Sequence, residues 1–167
     1  MIMGYPAIGK SRYAQRFIEE GYYRLNRDEQ GGTLEDLVVL MQERYETGER
    51  LFVLDNTYMT KKSRASVIKW AQKRKLPVKL VWITALKKKG APEPIEIAQF
   101  NASKRMIDTY GKLLTSEELR EIKDPNMFPP AVLFANRKKF EKPAKDEGFD
   151  TIEVIRFKRE MDKTIYK

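Results

Sequence analysis

Positions 4–11 read Gly4-Tyr5-Pro6-Ala7-Ile8-Gly9-Lys10-Ser11, a G-x-x-x-x-G-K-S run. It constrains the fold more than any other feature, because it specifies backbone shape as well as side chains. The glycines let the chain turn tightly enough for successive N–H groups to converge on one centre. A helix opening near Lys10 adds its positive N-terminal end. Lys10 then reaches the outer phosphates of a nucleoside triphosphate, and the Ser11 hydroxyl serves its Mg²⁺. Such a loop needs a strand before it and a helix after it; Met1-Ile2-Met3 and positions 11–20 read as both. Two residues vary the pattern. Ala7 stands where glycine is common, and Ile8, being β-branched, is expected to keep an ordinary backbone conformation. Only three residues precede Gly4, against about five or six in a typical strand, so the first strand is expected to be truncated.

The rest of the chain alternates strand and helix signals. A short aromatic strand over 22–26 precedes the Gly31-Gly32 break, and Thr33 caps a helix over 34–47 with Leu34, Leu37, Val38, Met41 and Tyr45 on one stripe. The apolar runs 51–54 and 78–83 read as strands buried on both faces, with a helix over 60–75 between them. Helices are expected over 94–110, 115–122 and 130–140, and a last alternating strand over 151–157. Alternation of this kind predicts an α/β fold of the phosphate-loop NTPase type. Its mostly parallel sheet has about five strands, with helices on both faces and a helical lid. One domain over 1–167 is expected, with a charged, frayed tail after about 158.

The chain carries 33 Lys and Arg against 24 Asp and Glu, for a net charge of +9. An excess of that size points to an anionic partner, nucleic acid foremost. Cysteine and histidine are absent. Disulfide and thiolate chemistry is thereby excluded, and proton abstraction falls to a carboxylate or to water. No apolar run approaches membrane-spanning length and no signal-peptide pattern appears, so a soluble intracellular protein with no membrane partner is expected.

Two carboxylates sit where strands end. Asp28, after the strand over 22–26, faces the crevice at the C-terminal ends of an open parallel sheet and is the candidate general base. Asp55, followed by Asn56 and Thr57, ends the 51–54 strand; it either orients the metal's waters or the acceptor, or caps the next helix. Arg105, on a helix after an irregular loop, is the candidate lid cation for transition-state charge. Tyr5, Tyr58 and Phe100 are candidates either for stacking on bases or for packing.

In order along the chain, the loop, Leu25-Asn26-Arg27-Asp28, Leu54-Asp55-Asn56-Thr57, Ser63-Arg64-Ala65 and the stretch from Arg137 to Pro143 and Glu147-Gly148-Phe149 resemble the polynucleotide 5′-hydroxyl kinases. The likeness is to the kinase domain of the eukaryotic polynucleotide kinase 3′-phosphatases and spans positions 3–157. It implies ATP-dependent phosphorylation of the 5′-hydroxyl of DNA or RNA ends, with Mg²⁺. Asp28 is then the general base, positions 4–11 hold the triphosphate, and Ser11 serves the metal. Lys10 and Arg105 stabilise charge, while Arg27, Asp55, Asn56, Thr57 and Arg64 bind the acceptor. Gln99, Phe100 and Ser103 stand where the family's lid is richer in basic and polar residues, and no phosphatase motif D-x-D-x-T is present. The residues also leave open a small-molecule phosphotransferase of the same broad fold, and a catalytically silent nucleotide- or nucleic-acid-binding module.

Overall fold

The structure, a computed structural model, describes residues 1–157. The elements run β1 (Ile2–Met3), α1 (Lys10–Glu19), β2 (Tyr23–Leu25), α2 (Arg27–Gln30), α3 (Leu34–Glu46), β3 (Phe52–Leu54), α4 (Lys61–Lys73), β4 (Lys79–Ala85), α5 (Pro94–Tyr110), α6 (Ser116–Ile122), α7 (Pro130–Lys139) and β5 (Thr151–Phe157). A 3₁₀ turn at Lys145–Glu147 precedes the last strand. The tail expected to fray after about 158 lies outside the described residues.

Among the described residues every strand pairing is parallel, as expected for strands joined by helices. The strands form two ladders, β1-β4-β5 and β2-β3, instead of one continuous five-stranded sheet. A single bridge between Ile2 and Asp55 joins them, giving the spatial order β2-β3-β1-β4-β5. The reason is length: β1 has only two residues, both paired with β4, and can offer little to β3 on its other side.

Side-chain alternation puts helices on both faces. Met3, Leu54 and Leu80 share one core with Met41 of α3 and with Val67, Ile68 and Ala71 of α4. Ile2, Val53, Val81 and Ile83 share the other with Ala14 of α1, Ile95 and Ala98 of α5, and Leu133 of α7. Threonines at 33, 60 and 115 each cap a helix by accepting a hydrogen bond from the third backbone N–H of its first turn.

The segment after α7 is fastened back to the start of α4. The Glu141 N–H donates to Met59 O at 2.8 Å, and the Lys61 N–H donates to Glu141 Oε2 at 2.7 Å. Arg64 lies beneath this crossing with a side chain of 0 % exposure. Its Nε and Nη2 grip Glu147 at 2.7 and 2.8 Å, and its Nη1 donates to the carbonyls of Tyr58 and Glu141.

Candidate active site

The sheet ends where the strands' carboxyl ends open into a cleft of about 630 Å³. Its floor is the 4–11 loop. Gly4 has φ of 156°, and a Cβ there would meet Ile83 O at 2.8 Å and the Ile8 side chain at 2.9 Å. No other residue fits so close to β4. The left-handed turn inside the loop falls on Ala7, at φ 60°, while Ile8 keeps an ordinary conformation and is buried in the core. Asn101 of α5 donates its Nδ2 to Ala7 O at 2.9 Å, pinning that turn from above.

The loop delivers the chain into α1 through Gly9, in left-handed conformation and with no side-chain cap. Tyr13 is the first residue whose N–H returns to a carbonyl at the helix start, Gly9 O, at 3.1 Å. The N–H groups of Lys10, Ser11 and Arg12 therefore have no intrahelical acceptor, and the positive end of α1 faces the cleft. Lys10 is only 9 % exposed, and its Nζ donates to Tyr5 O at 2.9 Å within the loop. Burial pushes its ammonium down to about 8; the negative charges of Asp55 and Asp28 oppose that fall, and Arg105 adds to it. These four side chains, from four different elements, thus share one electrostatic environment.

Asp28 lines the cleft on α2, a four-residue helix that sequence patterning did not anticipate. Asn26 creates it: its Oδ1 accepts the Asp28 N–H at 2.8 Å as an N-cap. The Asp28 carboxylate is 46 % exposed, with Arg27 Nη2 at 3.3 Å. Arg27, Ser11 and Thr57 also line the cleft. Arg105 reaches it from α5, its Nη1 held by Asn126 O at 3.0 Å.

Asp55 is the most deeply set member, at 1 % exposure. Its Oδ2 accepts from Arg24 Nη2 at 2.6 Å and from Asn26 Nδ2 at 3.3 Å. Its Oδ1 is buried and has no hydrogen-bond partner among the described residues. A solvent-inaccessible carboxylate oxygen left unpaired beside a cationic amine is costly unless a ligand completes it. With the uncapped helix end and the exposed Ser11 hydroxyl, it makes a donor set that fits a triphosphate and its divalent cation.

Two expected cleft residues are used differently. The Asn56 amide faces the cleft but is committed at both ends: Oδ1 accepts the Arg27 N–H at 2.9 Å, and Nδ2 donates to Leu25 O at 3.2 Å. It stitches β2 to the segment after β3. Arg64 does not reach the cleft at all, being enclosed with Glu147 beneath α4. Of the stacking candidates, Tyr58 is fully buried and Tyr5 stacks on Phe140 with centroids 6.0 Å apart, while Phe100 is largely exposed. Residues that patterning did not single out include Arg12, Arg24, Asn101 and Asn136. Only Asn26, an Asn directly ahead of an Arg-Asp-Glu-Gln turn, carried a local signal, that of a helix cap.

A second hollow, about 300 Å³ and largely apolar, lies at the opposite ends of the strands around Leu51, Pro77 and Lys79. Among the described residues its lining has no carboxylate side chain, and its charged side chains are those of Arg50 and Lys79. Among the described residues no helix is long and apolar enough to cross a membrane.

No protein-family model matches this chain. The chain is similar to the bifunctional polynucleotide phosphatase/kinase of Schizosaccharomyces pombe, 26 % identical over 163 residues. The alignment covers 95 % of this chain and 33 % of that protein, so the chain spans about a third of the length of its relative.

Proposed function

We propose that this chain is an ATP-dependent kinase that phosphorylates the 5′-hydroxyl of DNA or RNA ends, with residues 1–167 forming one kinase domain. The observation that carries the reading is the convergence of Lys10, Asp28, Asp55 and Arg105 on one cleft at the uncapped start of α1. The similarity to a polynucleotide phosphatase/kinase and the net charge of +9 favour a nucleic-acid acceptor over a small molecule.

The N–H groups at the start of α1 and the Lys10 ammonium bind the phosphates of the donor. Lys10 would leave Tyr5 O for the incoming phosphate oxygens, gaining a charged partner for a neutral one. Ser11 and the free Oδ1 of Asp55 would hold the accompanying Mg²⁺, which when bound neutralises charge on the transferring phosphoryl group. On the far wall Asp28 accepts the proton of the 5′-hydroxyl. That oxygen forms its bond to the γ-phosphorus as the bond from the γ-phosphorus to the bridging oxygen breaks, and the electron pair departs with ADP. With no histidine in the chain, a half-exposed carboxylate lining the cleft is the group suited to act as base. Arg105 faces the same phosphates from α5 and balances charge as it spreads over the equatorial oxygens. Arg27, at the rim, suits contact with the acceptor's backbone phosphate.

The test is transfer of label from γ-labelled ATP to 5′-hydroxyl DNA and RNA oligonucleotides, with a nucleoside and a sugar as controls. Asp28→Asn is expected to keep nucleotide binding and lose roughly 10²–10⁴-fold in transfer. Labelling of the controls but not of the oligonucleotides would make the protein a small-molecule kinase. Nucleotide binding with no transfer to any acceptor would leave a binding module.

A further inference from the structure

Arg24 sits on β2 outside the 4–11 loop and outside the Asn26-Arg27-Asp28 run, yet it touches both carboxylate-bearing segments of the cleft. Its Nη2 holds Asp55 Oδ2 at 2.6 Å, and its Nη1 holds Glu29 Oε1 at 2.5 Å. Glu29 is the neighbour of Asp28 on α2. The same short helix is tied once more to β2 and once to its own N-cap, Asn26. Gln30 Nε2 donates to Arg24 O at 3.2 Å, and Gln30 Oε1 accepts the Asn26 N–H at 2.6 Å. Among the described residues Arg24 is the one cation within ion-pair distance of Asp55.

The charges make this arrangement consequential. Asp55 is buried, acts on the Lys10 ammonium, and keeps one oxygen unpaired. A buried carboxylate released from its arginine is drawn to another cation, and the Lys10 ammonium lines the same cleft and already feels its charge. Lys10 is faced by Asp55 from the end of β3, Asp28 from α2, Arg105 from α5 and the Tyr5 carbonyl of its own loop. Of these, only Asp55 is held by a side chain that itself stays out of the cleft lining.

We propose that Arg24 is a positioning residue of this centre: its two-pronged grip on Asp55 and Glu29 keeps Asp55 off the Lys10 ammonium and fixes the helix that carries Asp28. This rests on the reading of the cleft as a triphosphate site. Without the grip, Asp55 and Lys10 pair with each other and the loop loses its free cation.

The test uses the full chain with Arg24→Gln, Arg24→Lys and the double variant Arg24→Gln with Asp55→Asn. Folding is followed by circular dichroism, affinity by calorimetric titration with a non-hydrolysable ATP analogue in metal-free buffer containing EDTA, and transfer by the oligonucleotide assay with Mg²⁺. Arg24→Gln is expected to weaken nucleotide binding about tenfold or more, the scale of one hydrogen bond to a charged group. Adding Asp55→Asn restores that metal-free affinity, because the competing carboxylate is gone, but does not restore transfer, for which Asp55 would hold the Mg²⁺. Arg24→Lys, which can hold Asp55 but not both partners, keeps affinity near wild type and lowers kcat. A purely architectural arginine would not be rescued by removing Asp55. Unchanged affinity in a folded Arg24→Gln protein would overturn the proposal, as would loss of affinity or folding that Asp55→Asn fails to repair. A wild-type chain that binds nucleotide but moves no phosphate to oligonucleotides overturns the kinase reading alone, since the affinity arms still report on Arg24. One that binds no nucleotide overturns both.

Discussion

A lysine ammonium at 9 % exposure, hydrogen-bonded among the described residues to a loop carbonyl alone, is a charge held out of water at a cost to the fold. Burial lowers it from 10.5 to about 8, a difference on the order of 3 kcal/mol between its two protonation states. The sign follows from proton counting. Between about pH 8 and 10.5 the unfolded chain binds more protons at this site than the native one, so stability rises with pH across that window. Below pH 8 the penalty is present in full. Lys10→Met should therefore stabilise the nucleotide-free protein at pH 7 by about 1–3 kcal/mol, or about 2–4 °C in Tm per kcal/mol, while abolishing transfer. The gap between variant and wild type should narrow above pH 8 and close near 10.5; thermal melts across that range are the check. The placement of Lys10, Ser11 and Asp28 around one cleft was legible because motif spacing and strand ends are local properties. Arg24 and Asn101 were not: their partners lie 31 and 94 positions away, and nothing in the spacing of residues reports such a meeting. Arg64 was legible as a cation near a family motif, but its assignment to the cleft failed because Glu147, 83 positions on, claims it.

Among the elements, the 3₁₀ turn is one of the shortest and one of the most heavily anchored. Glu147 receives two prongs of Arg64 and the Ala144 N–H at 2.9 Å. Burial raises its carboxyl, but these hydrogen bonds outweigh burial and leave it below the usual 4.5. A carboxylate lowered in the native state contributes stability that is present above pH 4.5 and is lost as pH falls through its native value. Glu147→Gln should cost about 3 kcal/mol at pH 7, since it strands a fully buried guanidinium, and the cost should shrink as the wild type is acidified. Urea unfolding at pH 7 and pH 4 measures both. Helices with capping threonines fell within a residue or two of their expected ends, because a cap is written next to what it caps. The helix α2 escaped because four residues are too few for any periodicity; Asn26 and tertiary ties to Arg24 make it.

For the whole molecule, the decisive feature is that parallel order is retained while continuity is not. β4 and β5 pair over seven residues and β2 with β3 over three, with one bridge between the two ladders. Amide hydrogens of β2–β3 should therefore exchange at least about tenfold faster than those of β4–β5, since local opening breaks fewer bonds. Hydrogen-exchange mass spectrometry would show it, and equal protection would mean that helix packing by α1, which touches β2 and β3, welds the halves. Fold class was readable from alternation alone. The break was not, because strand signals give order along the chain and not the number of rungs between neighbours.

That break lies directly under the cleft. The loop and Arg105 belong to one plate, Asp28 and Asp55 to the other; between the strands the plates share a backbone rivet at Ile2 and Asp55 plus the Gly4 N–H to Thr57 O contact of 3.3 Å, while both cores pack across them. On the proposed reading, the loop would seat the donor's phosphates on one slab and Asp28 would meet the acceptor on the other, with Asp55 reaching across to the donor's Mg²⁺. A slight tilt of one slab on the other would then bring attacking oxygen and phosphorus together without breaking either ladder.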